Sequence, residues 1–113
     1  MDFIKSYWPI LGLTVWFGYK WFNSRKISLI LPELKQRGAQ LVDVRSQAEF
    51  NAGHAEGTIN IPLQELHSRK NELSHQVPVV LACATGTRSG MAKMVLKKGG
   101  FKEVYNIGAW TKF

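Results

Sequence analysis

The sequence predicts one α/β domain preceded by an apolar N-terminal helix, and three stretches predict it. Val79-Val80-Leu81-Ala82 is a short apolar run with adjacent valines, the pattern of a fully buried strand. A polar loop, Cys83 to Arg88, follows it, and then Met91, Ala92, Met94, Val95 and Leu96 recur at helical spacing until Gly99-Gly100 stops them. Leu41-Val42-Asp43-Val44 is a second strand, followed by Ser46-Gln47-Ala48-Glu49, a capping box that opens a helix. The third stretch, Ile4 to Phe22, has lysines only near its ends, at Lys5 and Lys20.

A length of 113 residues leaves room for one small domain. We divide the chain into an N-terminal membrane-anchor segment and linker, residues 1–26, and an α/β domain, residues 27–113. The net charge is +7, of which +3 falls in residues 1–26, where Lys5, Lys20, Arg25 and Lys26 stand against Asp2. The remaining basic residues include Lys93, Lys97, Lys98 and Lys102, without the interleaved aromatics of a nucleic-acid surface, so no nucleic-acid partner is expected. A solvated helix face or attraction to anionic lipid headgroups accounts for them. The single cysteine excludes an internal disulfide and a C-x-x-C redox pair. The three histidines, at positions 54, 67 and 75, show no metal-ligand spacing, so neither metal nor organic cofactor is expected.

Taken in order, Ser6 to Tyr19 is uncharged, and the 19 residues from Ile4 to Phe22 would span about 28 Å as a helix, close to a bilayer's hydrocarbon core. Tyr7 and Trp8 at one end and Tyr19, Trp21 and Phe22 at the other suit two interfacial belts, and the end lysines can snorkel. Pro9 falls in the first turns, where proline is tolerated. A secretory signal would need a basic start and a small-residue cleavage pattern, and neither is present. An interfacial helix needs a strongly polar face, whereas apolar residues here fall on nearly all sides. A core helix also competes, because the uncharged run is short. We adopt a single membrane span over residues 4–22, with the interfacial helix as main competitor. Lys20, Arg25 and Lys26 then put the following domain on the cytoplasmic side.

Asn23 to Lys26 reads as a polar linker, and Pro32 as the first turn of a brief helix ending near Gly38. After the strand at Leu41 to Val44, Arg45 and Glu49 are spaced for a local ion pair, and Asp43 can accept backbone hydrogen bonds. Gly53-His54 marks a turn before a short strand, Thr58 to Ile61. Pro62 opens a helix through Leu63, Leu66 and Leu73, and Glu103 to Ile107 reads as the last strand.

The loop carries the candidate chemistry. On composition alone, a lone cysteine at a strand end is usually a small buried hydrophobe. Here the strand, loop and helix arrive in one unbroken block, and ligands of open α/β sheets bind at the carboxyl ends of strands. Gly86 permits a tight turn, and no proline from Cys83 to Arg88 removes an N–H. Backbone amides, a helix N-terminus and the Arg88 guanidinium would together lower the Cys83 pKa and favour a thiolate nucleophile. The candidate site is therefore Cys83 and Arg88 as catalytic residues, with Ala84, Thr85, Gly86 and Thr87 completing an anion-binding loop. Asp43 and Arg45 lie behind it at another strand's carboxyl end.

The block PVVLACATGTRSGMAKMVLKKGGFKEVYNIGAW resembles the active-site half of a rhodanese domain. LVDVRSQAEFNAGHAEGTINIPLQEL resembles its first half, with D-V-R, E-F, G-H, G and N-I-P in order. The resemblance covers Ile27 to Trp110 and implies an α/β domain with a central parallel sheet flanked by helices. It also implies a persulfide-forming cysteine at Cys83, taking sulfane sulfur from a small donor such as thiosulfate and passing it to cyanide, a thiol or a protein acceptor. Two departures stand out. Ala84 occupies a position that is basic in some members, leaving oxyanion recognition to Arg88 and backbone amides. The chain also stops shortly after Gly108-Ala109-Trp110, where members usually continue into a closing helix, so stability or shielding of the site edge is expected to depend on the N-terminal segment or a partner.

Two other functions compete. Cysteine phosphatases place five residues between cysteine and arginine, whereas four separate Cys83 from Arg88, a ring better sized for sulfur than for phosphate. A catalytically weak or inactive membrane-tethered binding module would reuse the fold without the chemistry.

Overall fold

The computed structural model describes residues 2–113, with side chains described for residues 11–19, 22 and 25–113. Its elements are α1 (Asp2–Gln36), β1 (Gln40–Asp43), α2 (Gln47–Ala52), β2 (Thr58–Asn60), α3 (Leu63–Arg69), β3 (Val79–Cys83), α4 (Thr87–Lys98) and β4 (Val104–Ala109). Short 3₁₀ turns cover Lys70–Glu72 and Trp110–Lys112. The strands form one parallel sheet in the order β2-β1-β3-β4, with helices flanking it, as the resemblance implies. β3 is central, which explains why all five of its residues are apolar and buried.

Side-chain alternation along β3 divides the core in two. Val79, Leu81 and Cys83 face a cluster with Leu66 of α3 and Ala92 and Leu96 of α4. Val80 and Ala82 face the other way, against Ile27, Leu31 and Leu34 of α1 and Ile107 of β4. The three α1 residues recur at helical spacing, and burying each contributes roughly 1.5–3 kcal/mol. Trp110 and Phe113 pack at the margin of this second cluster, so the C-terminal part of α1 covers the sheet face beside β4.

The N-terminal region departs from expectation. Asn23 to Lys26 is helical rather than a linker, and Pro32 lies deep inside α1 rather than in a first turn. No glycine or proline interrupts residues 19–31, and the Ile27, Leu31 and Leu34 stripe gives the helix a reason to continue onto the sheet. Pro32 removes one helical hydrogen bond without ending the helix, because that packing outweighs the loss. Gly38, at φ 80°, ends it, and the Ala39 N–H returns to the Leu34 carbonyl at 3.0 Å.

Among the described residues, no helix is long and apolar enough to cross a membrane, so the span expected over residues 4–22 is not supported. Gly12, Thr14, Gly18 and Tyr19 dilute the aliphatic residues of that stretch. The side chains of Lys5, Tyr7, Trp8, Pro9, Lys20 and Trp21, which carried part of that expectation, lie outside the described ones. Leu11, Leu13, Val15, Trp16, Phe17, Tyr19 and Phe22 are all exposed.

Smaller differences concern element ends. α3 stops at Arg69 and a 3₁₀ turn carries the chain to Leu73, while β4 extends to Ala109. His54 is held by its turn, with Nδ1 2.8 Å from the Phe50 carbonyl and its ring stacked on Phe50. His75 stacks on Phe101 at 3.8 Å.

Candidate functional site

Cys83 is the last residue of β3, and the chain turns through Ala84, Thr85 and Gly86 into α4 at Thr87. The turn needs Gly86 for two reasons. Its φ is 99°, in the left-handed region, and a Cβ there would sit 3.2 Å from Gly108 Cα on the neighbouring strand. That tight turn delivers the Gly86 N–H to Cys83 Sγ at 2.9 Å. The first turn of α4 adds the Ser89 hydroxyl, 3.4 Å from the sulfur. Ala84, Thr85 and Thr87 are exposed along the outside of the loop, whereas Cys83 is fully buried.

Burial pushes the Cys83 thiol up and is the largest single influence on it. Hydrogen bonds from the Ser89 hydroxyl and from the Ser89, Gly86 and Thr85 amides act the other way, and the net shift is downward. The loop therefore favours a thiolate through neutral donors gathered at a strand end and helix start. Such donors also suit an anion one sulfur further out.

Ser89 is in turn set by Asn106. Asn106 Oδ1 accepts from Ser89 Oγ at 2.6 Å and from the Gly108 N–H at 3.0 Å, and Nδ2 donates to the Gly86 carbonyl at 3.0 Å. The Gly108 N–H and the Gly86 carbonyl fix which end of the amide is oxygen. Asn106 is aimed there by a β-bulge. Leu81 pairs with Asn106 but Ala82 pairs with Gly108, so Ile107 is an extra residue of β4. One side chain thus braces both donors that face the sulfur.

Arg88 projects from the first turn of α4 and is grasped end-on by Glu49 of α2, with Nη1–Oε1 at 2.7 Å and Nη2–Oε2 at 3.0 Å. Glu49 also closes the predicted capping box, as the third residue of α2, and the box forms in full with Ser46. The Arg88 guanidinium, then the Ser46 N–H and hydroxyl, lower the Glu49 carboxyl to about 2. The expected local pair between Arg45 and Glu49 does not form, because each finds a better partner. Arg45 instead makes a bidentate pair with buried Asp43, donates to the Gly53 carbonyl at 2.7 Å and lies 4.4 Å from the Trp110 ring centre. Asp43 also accepts from the Arg45 N–H, as its place at the end of β1 suggested. Asp43 pairs with Ala82 in the sheet, so Asp43 and Arg45 stand behind the loop on the same edge as Cys83.

Sequence reasoning missed Ser89, Asn106 and Glu49 as parts of the site. Ser89 and Asn106 carry no charge or motif, and only the bulge brings them together. Glu49 was visible as a helix cap, but its partner lies 39 residues away. Among the described residues, no group of three or more His, Cys, Asp or Glu side chains is placed to hold a metal ion.

The family model for the rhodanese-like domain matches residues 30–113. The chain belongs to the rhodanese-like domain family. Its similarity to the uncharacterized protein YqhL of Bacillus subtilis (strain 168) is 49% identity over 78 residues, 68% of this chain and 62% of that protein. The chain therefore spans less than two thirds of that relative's length. With the thiosulfate sulfurtransferase GlpE of Ectopseudomonas mendocina (strain ymp) it shares 32% identity over 75 residues, 66% of this chain and 69% of that protein. Among solved structures, a rhodanese with anions from E. coli superposes with a TM-score of 0.62 at 31% identity, covering 66% of this chain and 91% of that one. This rhodanese-like domain thus has sulfurtransferases among its relatives.

Proposed function

We propose that this rhodanese-like protein is a sulfurtransferase that carries sulfane sulfur as a persulfide on Cys83. The observation that carries the reading is the Cys83 environment: a sulfur at a strand's carboxyl end, facing the Gly86 N–H and the Ser89 hydroxyl, with its pKa lowered. The Cys83 thiolate attacks the outer sulfur of a donor such as thiosulfate. The donor's S–S bond breaks with its electron pair leaving on sulfite, and Cys83–S–S⁻ remains. A thiophilic acceptor (cyanide, a thiol or a protein cysteine) then takes the outer sulfur and returns the thiolate, a two-step covalent cycle. The loop amides stabilise the persulfide anion, Arg88 receives the donor's oxyanion only in competition with Glu49, and Asp43 and Arg45 hold the edge behind them.

The test is sulfite release and thiocyanate formation from thiosulfate and cyanide. Turnover that disappears in Cys83→Ser supports the reading, and equal turnover in Cys83→Ser overturns it. The full burial of Cys83 favours a second reading, a catalytically weak or inactive tethered binding module. That reading predicts partner binding that survives Cys83→Ser.

Attachment of residues 4–22 to a lipid bilayer, with the domain on the cytoplasmic side, is proposed on the sequence pattern and on the exposed apolar side chains of α1. Recovery of the full chain in the membrane fraction after alkaline extraction would support it, and release to the supernatant would overturn it.

A further inference from the structure

Both arginines at the site edge are already matched by carboxylates. Arg45 is buried against Asp43, and Arg88 is gripped end-on by Glu49. These four side chains carry no net formal charge. Arg88 is only partly exposed and Glu49 spans both of its terminal nitrogens, so an anion reaching for the guanidinium meets a competing carboxylate first. Glu49 is positioned independently of Arg88, because Ser46 donates to it from both backbone and hydroxyl. Arg88 itself feels the sulfur: its pKa is raised chiefly by Glu49, and also by the charges of Cys83 and Asp43.

We propose that Glu49 is a specificity-determining residue that disfavours dianionic sulfur donors, so that the protein's own donor is a persulfide, R–S–SH. This rests on the sulfurtransferase reading above. Thiosulfate brings two negative charges to a site whose cation is already neutralised, and its sulfonate must either displace Glu49 or approach a like charge. A persulfide brings no sulfonate. The Cys83 thiolate attacks its outer sulfur, the bond between the two donor sulfurs breaks with its pair leaving on RS⁻, and Cys83–S–SH forms. Atoms and charge balance without an oxidant or reductant. The loop amides, which are neutral donors, serve this reaction without help from Arg88.

The experiment compares thiosulfate:cyanide kinetics of the full chain with those of Glu49→Gln. Glutamine can still close the capping box, so the helix cap is retained while the charge is lost. The expected result is a KM for thiosulfate about tenfold lower, equivalent to about 1.4 kcal/mol, with kcat changed much less and with selectivity for thiosulfate over a persulfide donor raised. A KM that is unchanged or higher overturns the proposal, because a merely structural Glu49 would lower kcat or leave both constants alone. Should Glu49→Gln fail to fold, Glu49→Asp, which draws the carboxylate back by one methylene, is expected to lower KM in the same direction, and an unchanged KM there overturns it equally. If neither donor loads Cys83 in any of these proteins, the sulfurtransferase reading itself fails. Equal loading of all of them by thiosulfate removes only the role of Glu49.

Discussion

Asn106 Oδ1 lies 2.6 Å from Ser89 Oγ, while the same hydroxyl lies 3.4 Å from Cys83 Sγ. A hydroxyl has one proton, so Ser89 serves the sulfur fully only by turning from Asn106. Ser89 is thus a donor within reach of both the sulfur and Asn106, with the shorter contact to Asn106.

Removing that donor has a measurable consequence. The Ser89 hydroxyl is among the donors that lower the Cys83 pKa, so Ser89→Ala is expected to raise it. The rate of thiol alkylation as a function of pH measures it directly. An unchanged profile would mean that the backbone amides alone hold the thiolate.

Gly86 tests the turn. Gly86→Ala must place a Cβ at φ 99° and 3.2 Å from Gly108 Cα. A left-handed non-glycine residue costs about 1–2 kcal/mol, and the crowding adds to it. Urea denaturation should show a loss of at least that size, together with weaker sulfur loading because the Gly86 N–H is displaced from Cys83.

The buried pair behind the loop is a stability element. Asp43→Ala leaves the Arg45 guanidinium buried without its carboxylate, and breaking a buried pair from one side costs about 3–5 kcal/mol. Equilibrium unfolding should therefore show Asp43→Ala as far less stable than Glu49→Gln, whose pair is partly exposed.

Acid dependence isolates Glu49. Its carboxyl is lowered from 4.5 to about 2 in the folded protein, so its contribution is present above the unfolded value and is lost as pH falls from about 4.5 toward 2. Glu49→Gln should flatten the fall of Tm with acid across that window and leave the slope above it unchanged.

Features that depend on neighbouring residues are legible in the sequence, and those that depend on the fold are not. The buried strand Val79–Cys83, the capping box at Ser46 and the glycine turn at Gly86 were legible, because each depends on residues within a few positions. The partners of Arg88 and Ser89 were not, because Glu49 and Asn106 reach them only through sheet order and a one-residue bulge. Arg45 misled for a related reason: its spacing to Glu49 suits an ion pair, but buried Asp43 offers a drier, bidentate partner. In α1 the polar stretch from Asn23 to Lys26 suggested a break, yet nothing there disfavours helix, and packing downstream decides the outcome.

The central claim is a sulfur atom carried on Cys83. The measurement that tests it most directly is the intact mass of the purified, non-reduced protein after incubation with thiosulfate or with a persulfide donor. The expected result is a gain of one sulfur atom that cyanide removes and that Cys83→Ser never shows. No gain from either donor, with Cys83 reduced and the domain folded, would contradict it.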